Sequence, residues 1–312
     1  MENIVPYDSI VIGAGPAGIT AAIYLSRKKL DILVIALDLG GQANLSTDVD
    51  NYTGFAMISG RELVKKFEEH LKAFKIKVVR DKVVAIKKDG DLFEIKTNRN
   101  TYWSKTAIIA SGKKPRSLNA PGEDAFVGKG VTYYNIYDAP FFKSKPVAIV
   151  GGGNSALQAI LMLAKFTKKI YVINITPELT GDEALQEKFK KLAFVKVFNN
   201  SKVTKLIGKK KLEKVEFMNV NTKQVSSLDV RGVIVEIGLE PSLGFELPEK
   251  LKMSERGEID VDQNCNTSVA GLFAAGDVED VKGKQIIIAA GEGAKAALSA
   301  YDYIQTSSVE KS

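Results

Sequence analysis

Apolar positions in this chain fall into short runs joined by glycine-rich turns. Ser9 to Ile12 is one such run, bounded by polar residues, as in a strand buried on both faces of a parallel sheet. The pattern then predicts a helix from Ile19 to Lys29 and a second strand from Ile32 to Ile35. The same order recurs with a strand at Pro146–Val150, a helix at Leu157–Lys165 and a strand at Ile170–Ile173. Each unit is followed by short β-rich segments. In the first copy these are Val83 to Lys87, Leu92–Thr97 and Thr101–Trp103, with turns at Asp89-Gly90-Asp91 and Asn98-Arg99-Asn100. In the second they are Val203–Ile207, Val215–Met218 and Val225–Val230. Ser59-Gly60-Arg61-Glu62 has the capping-box pattern and opens a helix with Leu63, Phe67, Leu71 and Phe74 on one face. Near the C-terminus, Gly271–Gly276 predicts a last strand that delivers Asp277 to a ligand, and a helix follows from Ala289 to Ile304.

The turn between the first strand and its helix is Gly13-Ala14-Gly15-Pro16-Ala17-Gly18, a G-x-G-x-x-G motif in the strand–turn–helix setting that gives it meaning. The first glycine permits the tight turn, the second lets a pyrophosphate approach the backbone, and the third lets helix and strand pack closely. The helix N-terminus then offers free N–H groups to the phosphates. Gly151-Gly152-Gly153-Asn154-Ser155-Ala156 supplies the second copy. Gly13 to Ala36 and Gly151 to Asn174 span the same interval, and each copy closes on a strand ending in Gly-x-x-Pro, at Gly112/Pro115 and Gly238/Pro241. Two dinucleotide-binding folds follow. The late strand completes the first unit, so the second fold is inserted into the first.

Composition narrows the chemistry. A chain of 312 residues, 45% apolar and 26% charged, is an ordinary globular one of about two domains. One cysteine, Cys265, excludes an intramolecular disulfide, a CxxC pair and a cysteine-rich zinc site. One histidine, His70, lies among Glu68, Glu69 and Lys72 on a predicted helix surface, which argues against a catalytic triad and excludes a multi-histidine metal centre. No metal site is expected. No apolar run approaches the ~18 residues of a membrane span, and Met1–Asp8 lacks a secretory pattern. The expectation is a cytoplasmic protein that binds neither membrane nor nucleic acid.

These motifs resemble the low-molecular-weight thioredoxin reductases of the pyridine-nucleotide disulfide oxidoreductase superfamily. The matching stretches are Gly13–Gly18, Gly40-Gly41-Gln42, Asp50–Phe55, Ala110-Ser111-Gly112, Gly151–Ala156, Gly271–Val278 and Gln285–Ala297. The resemblance implies an α/β protein with two Rossmann-like, three-layer ββα domains. An FAD domain would be built from 1–116 and 243–312, and a nicotinamide-nucleotide domain would be inserted at 117–242. It further implies a homodimer. For FAD it implies Gly13, Gly15, Pro16, Ala17 and Gly18 at the pyrophosphate, and Gly41, Gln42, Asn51, Val84, Ala110, Ser111 and Gly112 along the nucleotide. Asp277 would bind ribityl or ribose hydroxyls, while Lys284, Gln285 and Ile286 would bring a helix N-terminus to the flavin's N1–O2 edge. Ala36 stands where an acid often binds the adenosine ribose; Asp38 either replaces it or is a surface residue.

Two departures change the implied activity. Where relatives carry Cys-x-x-Cys-Asp, this chain has Tyr134-Asn135-Ile136-Tyr137-Asp138. A phenol cannot perform thiol–disulfide exchange, which excludes disulfide reduction by the family route. Tyr134, Tyr137 and Asp138 remain candidate catalytic positions. The tyrosines either stack near the isoalloxazine or fill volume, and Asp138 otherwise reads as a turn or capping residue. Where relatives grip the NADPH 2′-phosphate with His-Arg-Arg, the chain has Asn174-Ile175-Thr176. NADPH preference is therefore not expected. Gly151, Gly153, Asn154, Ser155 and Asn174 are the candidate NAD(P) contacts, with Asn174 reaching a ribose hydroxyl and Glu178 opening the next helix.

Segment 117–242 carries 18 Lys and Arg against 12 Asp and Glu, and Lys209-Lys210-Lys211 reads as a hairpin tip. Such a face steers an acidic partner such as ferredoxin, or is simply solvated. The function expected is an FAD-dependent oxidoreductase without disulfide reductase activity, passing electrons from NADH or a redox carrier to a non-disulfide acceptor. The alternatives are a ferredoxin–NAD(P) reductase-like enzyme and an FAD-binding sensor or carrier without turnover.

Overall fold

A computed structural model describes residues 5–46, 48–133 and 139–309. The chain forms two units, Met1–Lys114 with Glu240–Ser312, and Pro115–Leu239. The sequence boundaries of 116/117 and 242/243 lie within three residues of these.

The first unit begins β1 (Tyr7–Ile12), α1 (Pro16–Arg27), β2 (Ile32–Ala36), α2 (Gly60–Ala73) and β3 (Val78–Arg80). It continues with β4 (Val83–Asp89), β5 (Leu92–Thr97), β6 (Thr101–Ile109) and β7 (Lys113–Pro115). The returning chain adds β16 (Leu239–Pro241), β17 (Leu272–Ala274) and α6 (Ile286–Val309). The sheet runs β3-β2-β1-β6-β5-β4, and β17 pairs with the C-terminal part of β6. The β1, β2, β3, β6 and β17 pairings are parallel; β4 and β5 are antiparallel additions.

Period-two alternation decides which side chain meets which layer. Val11, Val34 and Ile108 face Ala17, Ala21, Ala22 and Leu25 of α1 and Ala296, Ala297 and Ala300 of α6. Ile10, Ile12, Leu33, Ile35 and Ile109 face the other way, into a layer with Ile86, Phe93 and Ile95. The small residues between α1 and α6 allow close approach, and a Cβ on Gly293 would lie 2.0 Å from the Ala17 carbonyl oxygen. The predicted capping box at Ser59 and Glu62 forms and starts α2. His70 is exposed on that helix.

The second unit contains α3 (Glu123–Phe126), β8 (Val131–Thr132), β9 (Val147–Val150), α4 (Asn154–Leu163), β10 (Ile170–Ile173), α5 (Glu183–Lys190) and β11 (Val195–Phe198). Four further strands follow: β12 (Ser201–Gly208), β13 (Leu212–Asn219), β14 (Val225–Asp229) and β15 (Gly232–Val235). A parallel sheet, β11-β10-β9-β15-β8, lies between α4 on one face and the antiparallel β12-β13-β14 sheet on the other. Lys209–Lys211 is the tip between β12 and β13, as its sequence indicates. Glu178 does not open the next helix: Asp182 is its N-cap and Glu183 its first residue. No helix among the described residues is long and apolar enough to cross a membrane.

Candidate functional site

The first glycine turn is shaped by contacts that only glycine satisfies at two of its three positions. Gly13 has φ +107°, and a Cβ there would lie 2.3 Å from the Ala110 carbonyl oxygen. A Cβ on Gly18 would lie 2.0 Å from the Gly13 carbonyl oxygen. Gly15 is different. Its backbone is extended, and a Cβ would meet nothing within 4 Å. It is the N-cap of α1, with Pro16 next in the first turn and no side chain capping the free N–H groups. An anion fits there because those N–H groups and the helix dipole both favour negative charge.

The other predicted residues of this unit gather around the same end of the sheet. Ala110 continues β6, its N–H bonded to the Ile12 carbonyl, and Gly112 turns the chain with φ +66°. The Gly40 N–H donates to the Ala14 carbonyl, bringing Gly40-Gly41 onto the cradle. A Cβ on Gly41 would lie 3.6 Å from the Gly15 Cα. Gln42 Nε2 donates to the Lys113 carbonyl at 2.9 Å, and Asn51 Nδ2 donates to Gln285 Oε1 at 3.0 Å. Gln285 offers its own carbonyl to the Ala289 N–H, so Ile286 heads a helix whose first turn faces this junction. Val84 is half-buried in β4. Asp38 is exposed and accepts the Gly41 N–H, which gives it a loop-shaping contact.

The cradle has open space and an unsatisfied hydroxyl where a dinucleotide would lie. Gly15 faces open space, and the Ser111 hydroxyl is shielded without any hydrogen-bond partner. Burial raises the Asp277 carboxyl, while Lys284 and Lys113 pull it back down. The orphaned Ser111 hydroxyl costs stability unless something bonds it. The donor and acceptor set fits FAD. Lys113 itself was not singled out from sequence: its Nζ pairs with Glu258 Oε1 at 2.5 Å, and nothing in the Gly112-Lys113 stretch signals a partner so far along the chain.

The second glycine turn repeats the backbone geometry with different surroundings. Gly151 has φ +131°, and a Cβ would lie 2.1 Å from the Glu236 carbonyl oxygen. Gly153 is extended, with only Thr180 Oγ1 as near as 4.0 Å to a built Cβ. Asn154 exchanges two hydrogen bonds with Asp182, each 2.7 Å, and Ser155 is exposed beside it. The Thr180 N–H donates to the Gly152 carbonyl at 2.8 Å, which lays the 175–182 loop along the turn.

Asn174 requires a correction. It is only 2% exposed, and its Nδ2 faces the carbonyls of Thr176 and Glu178 and the Asn199 Oδ1. Its Oδ1 accepts from the Thr176 hydroxyl. The amide has no hydrogen-bonding capacity left for a ribose; it folds the loop instead. Tyr134, Tyr137 and Asp138 lie outside the described residues. Just before them, Tyr133 Oη donates to Glu123 Oε1 at 2.5 Å; burial and that carboxylate push the Tyr133 phenol up to about 12.

Cys265 is 1% exposed, its Sγ 3.6 Å from the Glu292 carbonyl oxygen. Burial, then repulsion from Glu279, pushes the thiol up to about 12, so it is not a thiolate near neutrality. Among the described residues, no group of His, Cys, Asp and Glu could hold a metal ion.

Residues 7–293 match the model of the pyridine nucleotide-disulphide oxidoreductase family. The chain is 37% identical over 305 residues to one component of the alkyl hydroperoxide reductase of Staphylococcus aureus, covering 97% of this chain and 60% of that protein. It is 38% identical over 300 residues to an NADH dehydrogenase of Bacillus subtilis, covering 96% of this chain and 59% of that protein. The chain thus spans about 60% of the length of these curated relatives. Among solved structures it is similar to a thioredoxin reductase of Lactococcus lactis, with a TM-score of 0.83 and 32% identity over 96% of this chain and 99% of that one. A fold with two glycine-rich nucleotide cradles and matches over nearly its whole length therefore place the chain in the pyridine nucleotide-disulphide oxidoreductase family, whose members bind FAD and take NAD(P)H as substrate.

Proposed function

We propose that the chain is an FAD-dependent oxidoreductase without a sulfur relay, passing electrons from NADH or a redox carrier to an acceptor that is not a disulfide. One observation carries this reading: the cradle at Gly15 and Ser111 is built for a dinucleotide, while the chain's single thiol is buried and held protonated. When bound, FAD supplies one- and two-electron transfer that none of these side chains offers. The protein's part is positional and electrostatic. The α1 N-terminus holds the pyrophosphate, and Ser111 and Asp277 bond its sugar hydroxyls or ring edge. The N–H groups at the start of α6, with Lys284 close by, stabilise negative charge. The relative named as an NADH dehydrogenase supports a donor of the nicotinamide class.

The test is an anaerobic titration of FAD-loaded protein with NADH and with NADPH, followed by its visible flavin absorbance. Bleaching by NADH, with no reduction of thioredoxin or of a small aromatic disulfide, is the expected result. Brisk disulfide reduction overturns the reading. Failure of either nucleotide to bleach the flavin leaves a redox carrier as donor, and failure of a reduced ferredoxin to do so as well overturns turnover altogether.

A further inference from the structure

Behind the Gly276–Asp277 turn lies a pair of acids that the cofactor reading does not use. Glu279 has no solvent exposure, and neither carboxyl oxygen has a donor from the rest of the protein. Glu292, in the second turn of α6, is 5% exposed, and its Oε2 accepts the Gly276 N–H at 3.0 Å. The Glu292 side chain lies within hydrogen-bonding reach of the Glu279 carboxyl. A contact between two bare carboxylates is repulsive, more so away from water, whereas one proton between them makes it a strong hydrogen bond.

The groups facing the pair do not neutralise two charges. From α6, Lys295 bonds the Gln263 carbonyl. From the loop before α6, Lys284 bonds the Glu279 backbone carbonyl. From the 262–265 segment comes the Cys265 thiol, itself pushed up to about 12 by burial first and then by Glu279, with Glu292 and Asp262 adding to the repulsion at the thiol. Asp277 stands on the turn itself.

We propose that Glu279 and Glu292 hold one proton in common and that this shared proton braces the Gly276–Asp277 turn in the shape that receives FAD. The proposal rests on the reading that FAD occupies the first cradle. The Gly276 N–H is fixed by Glu292, and Glu292 stays in place only while it bonds, rather than repels, Glu279. Gly276 has φ +81°, and a Cβ there would lie 2.9 Å from the Ala17 Cβ, so the same turn also touches α1 at the pyrophosphate cradle. Burial first, then Glu292, push the Glu279 carboxyl up to about 9, with Lys284 and Lys295 opposing. The proton is therefore held through neutral pH and lost only in alkaline solution.

The whole 312-residue chain is titrated with FAD by flavin fluorescence from neutral pH to beyond about pH 9. For the native sequence the FAD dissociation constant should rise about tenfold or more across that range. Glu279→Gln, whose amide donates at every pH, should bind FAD at neutral pH and lose the alkaline rise. Infrared absorption at neutral pH should show a protonated-carboxyl band that Glu279→Gln lacks. Glu292→Gln, which keeps an acceptor for the Gly276 N–H, should likewise flatten the profile and serves if Glu279→Gln does not fold. An unchanged alkaline rise in both variants, a flat native profile, or absence of the infrared band overturns the brace alone. A protein that shows the band but takes up no FAD at neutral pH overturns the cofactor reading and the brace's link to it.

Discussion

Glycine substitutions in the first cradle separate folding from cofactor binding, because the structure assigns the two roles to different residues. A methyl on Gly18 would sit 2.0 Å from the Gly13 carbonyl oxygen, where real contacts do not fall below 3.0 Å. Helix α1 would have to move by at least about 1 Å, yet Ala17, Ala21, Ala22 and Leu25 are packed against the sheet and α6 with almost no exposure. Overpacking of that kind costs about 1–3 kcal/mol. At roughly 2–4 °C per kcal/mol for a domain of this size, Gly18→Ala apoprotein should melt several degrees below the native protein. Gly15→Ala should behave in the opposite way. Its backbone is extended and nothing lies within 4 Å of the new methyl, so the apoprotein loses at most about 1 kcal/mol from the poorer N-cap. The methyl fills the space over the N–H groups of α1, and FAD affinity should fall about tenfold or more, about 1.4 kcal/mol. The assays are thermal unfolding without FAD and the gain in melting temperature on adding it, since a ligand that binds only the folded state stabilises it by RT ln(1 + L/Kd), where L is its free concentration. Gly15→Ala binding FAD as tightly as the native protein, or Gly18→Ala melting unchanged, would refute this division of labour.

Other outcomes follow from the same geometry. Cys265→Ser should leave FAD affinity unchanged, and thiol reagents should label native Cys265 only as the protein unfolds, because the thiol is buried and protonated. NADPH should bind no better than NADH, as isothermal titration would show. Ile175→Arg, at a 58% exposed position beside the second cradle, should improve NADPH relative to NADH by roughly 1 kcal/mol. Gly153→Ala should fold normally and bind FAD normally while losing reduction by NADH, measured as the rate of flavin bleaching. The acid pair sets a stability slope. The folded chain keeps a proton that the unfolded chain releases near pH 4.3, so between there and about pH 9 this site lowers unfolding free energy by about 1.4 kcal/mol per pH unit. Denaturant melts across that range should show Glu279→Gln with a slope less negative by that amount.

Much of this arrangement is legible in the sequence because its signals are local. Strand, turn and helix follow one another within a few residues in both repeats, so glycine spacing and apolar runs locate both cradles, and Ser59 with Glu62 marks α2 by a contact three residues apart. The misses are contacts made across the chain. Lys113 and Glu258 are 145 residues apart, and no periodicity connects them. Glu279 reads as one more charged residue beside Asp280, yet the bridge between Ile259 and Glu279 turns it fully inward. Asn174 misled for a related reason. Its place at the end of β10 is where a ribose ligand would stand, but its neighbours Thr176, Glu178 and Asn199 take up the amide first.

The two cradles also show which glycines speak of ligands. Gly13 and Gly151 are forced by the backbone, since a Cβ at either would strike a carbonyl oxygen at 2.3 or 2.1 Å. They would be required in a fold that bound nothing. Gly15 and Gly153 carry no such obligation: both are extended, and a Cβ would meet nothing within 4 Å at Gly15 and only Thr180 Oγ1, at 4.0 Å, at Gly153. A glycine that packing does not require, at the mouth of a helix N-terminus, is explained by something approaching the backbone there. That argument holds for the second cradle even though no arginine or carboxylate stands where relatives distinguish NADPH from NADH. On the function proposed above, the second unit would keep the part of the site that meets a pyrophosphate and would lack the part that reads the adenosine ribose. A donor recognised there would be held by its phosphates, with little selection at the 2′ position.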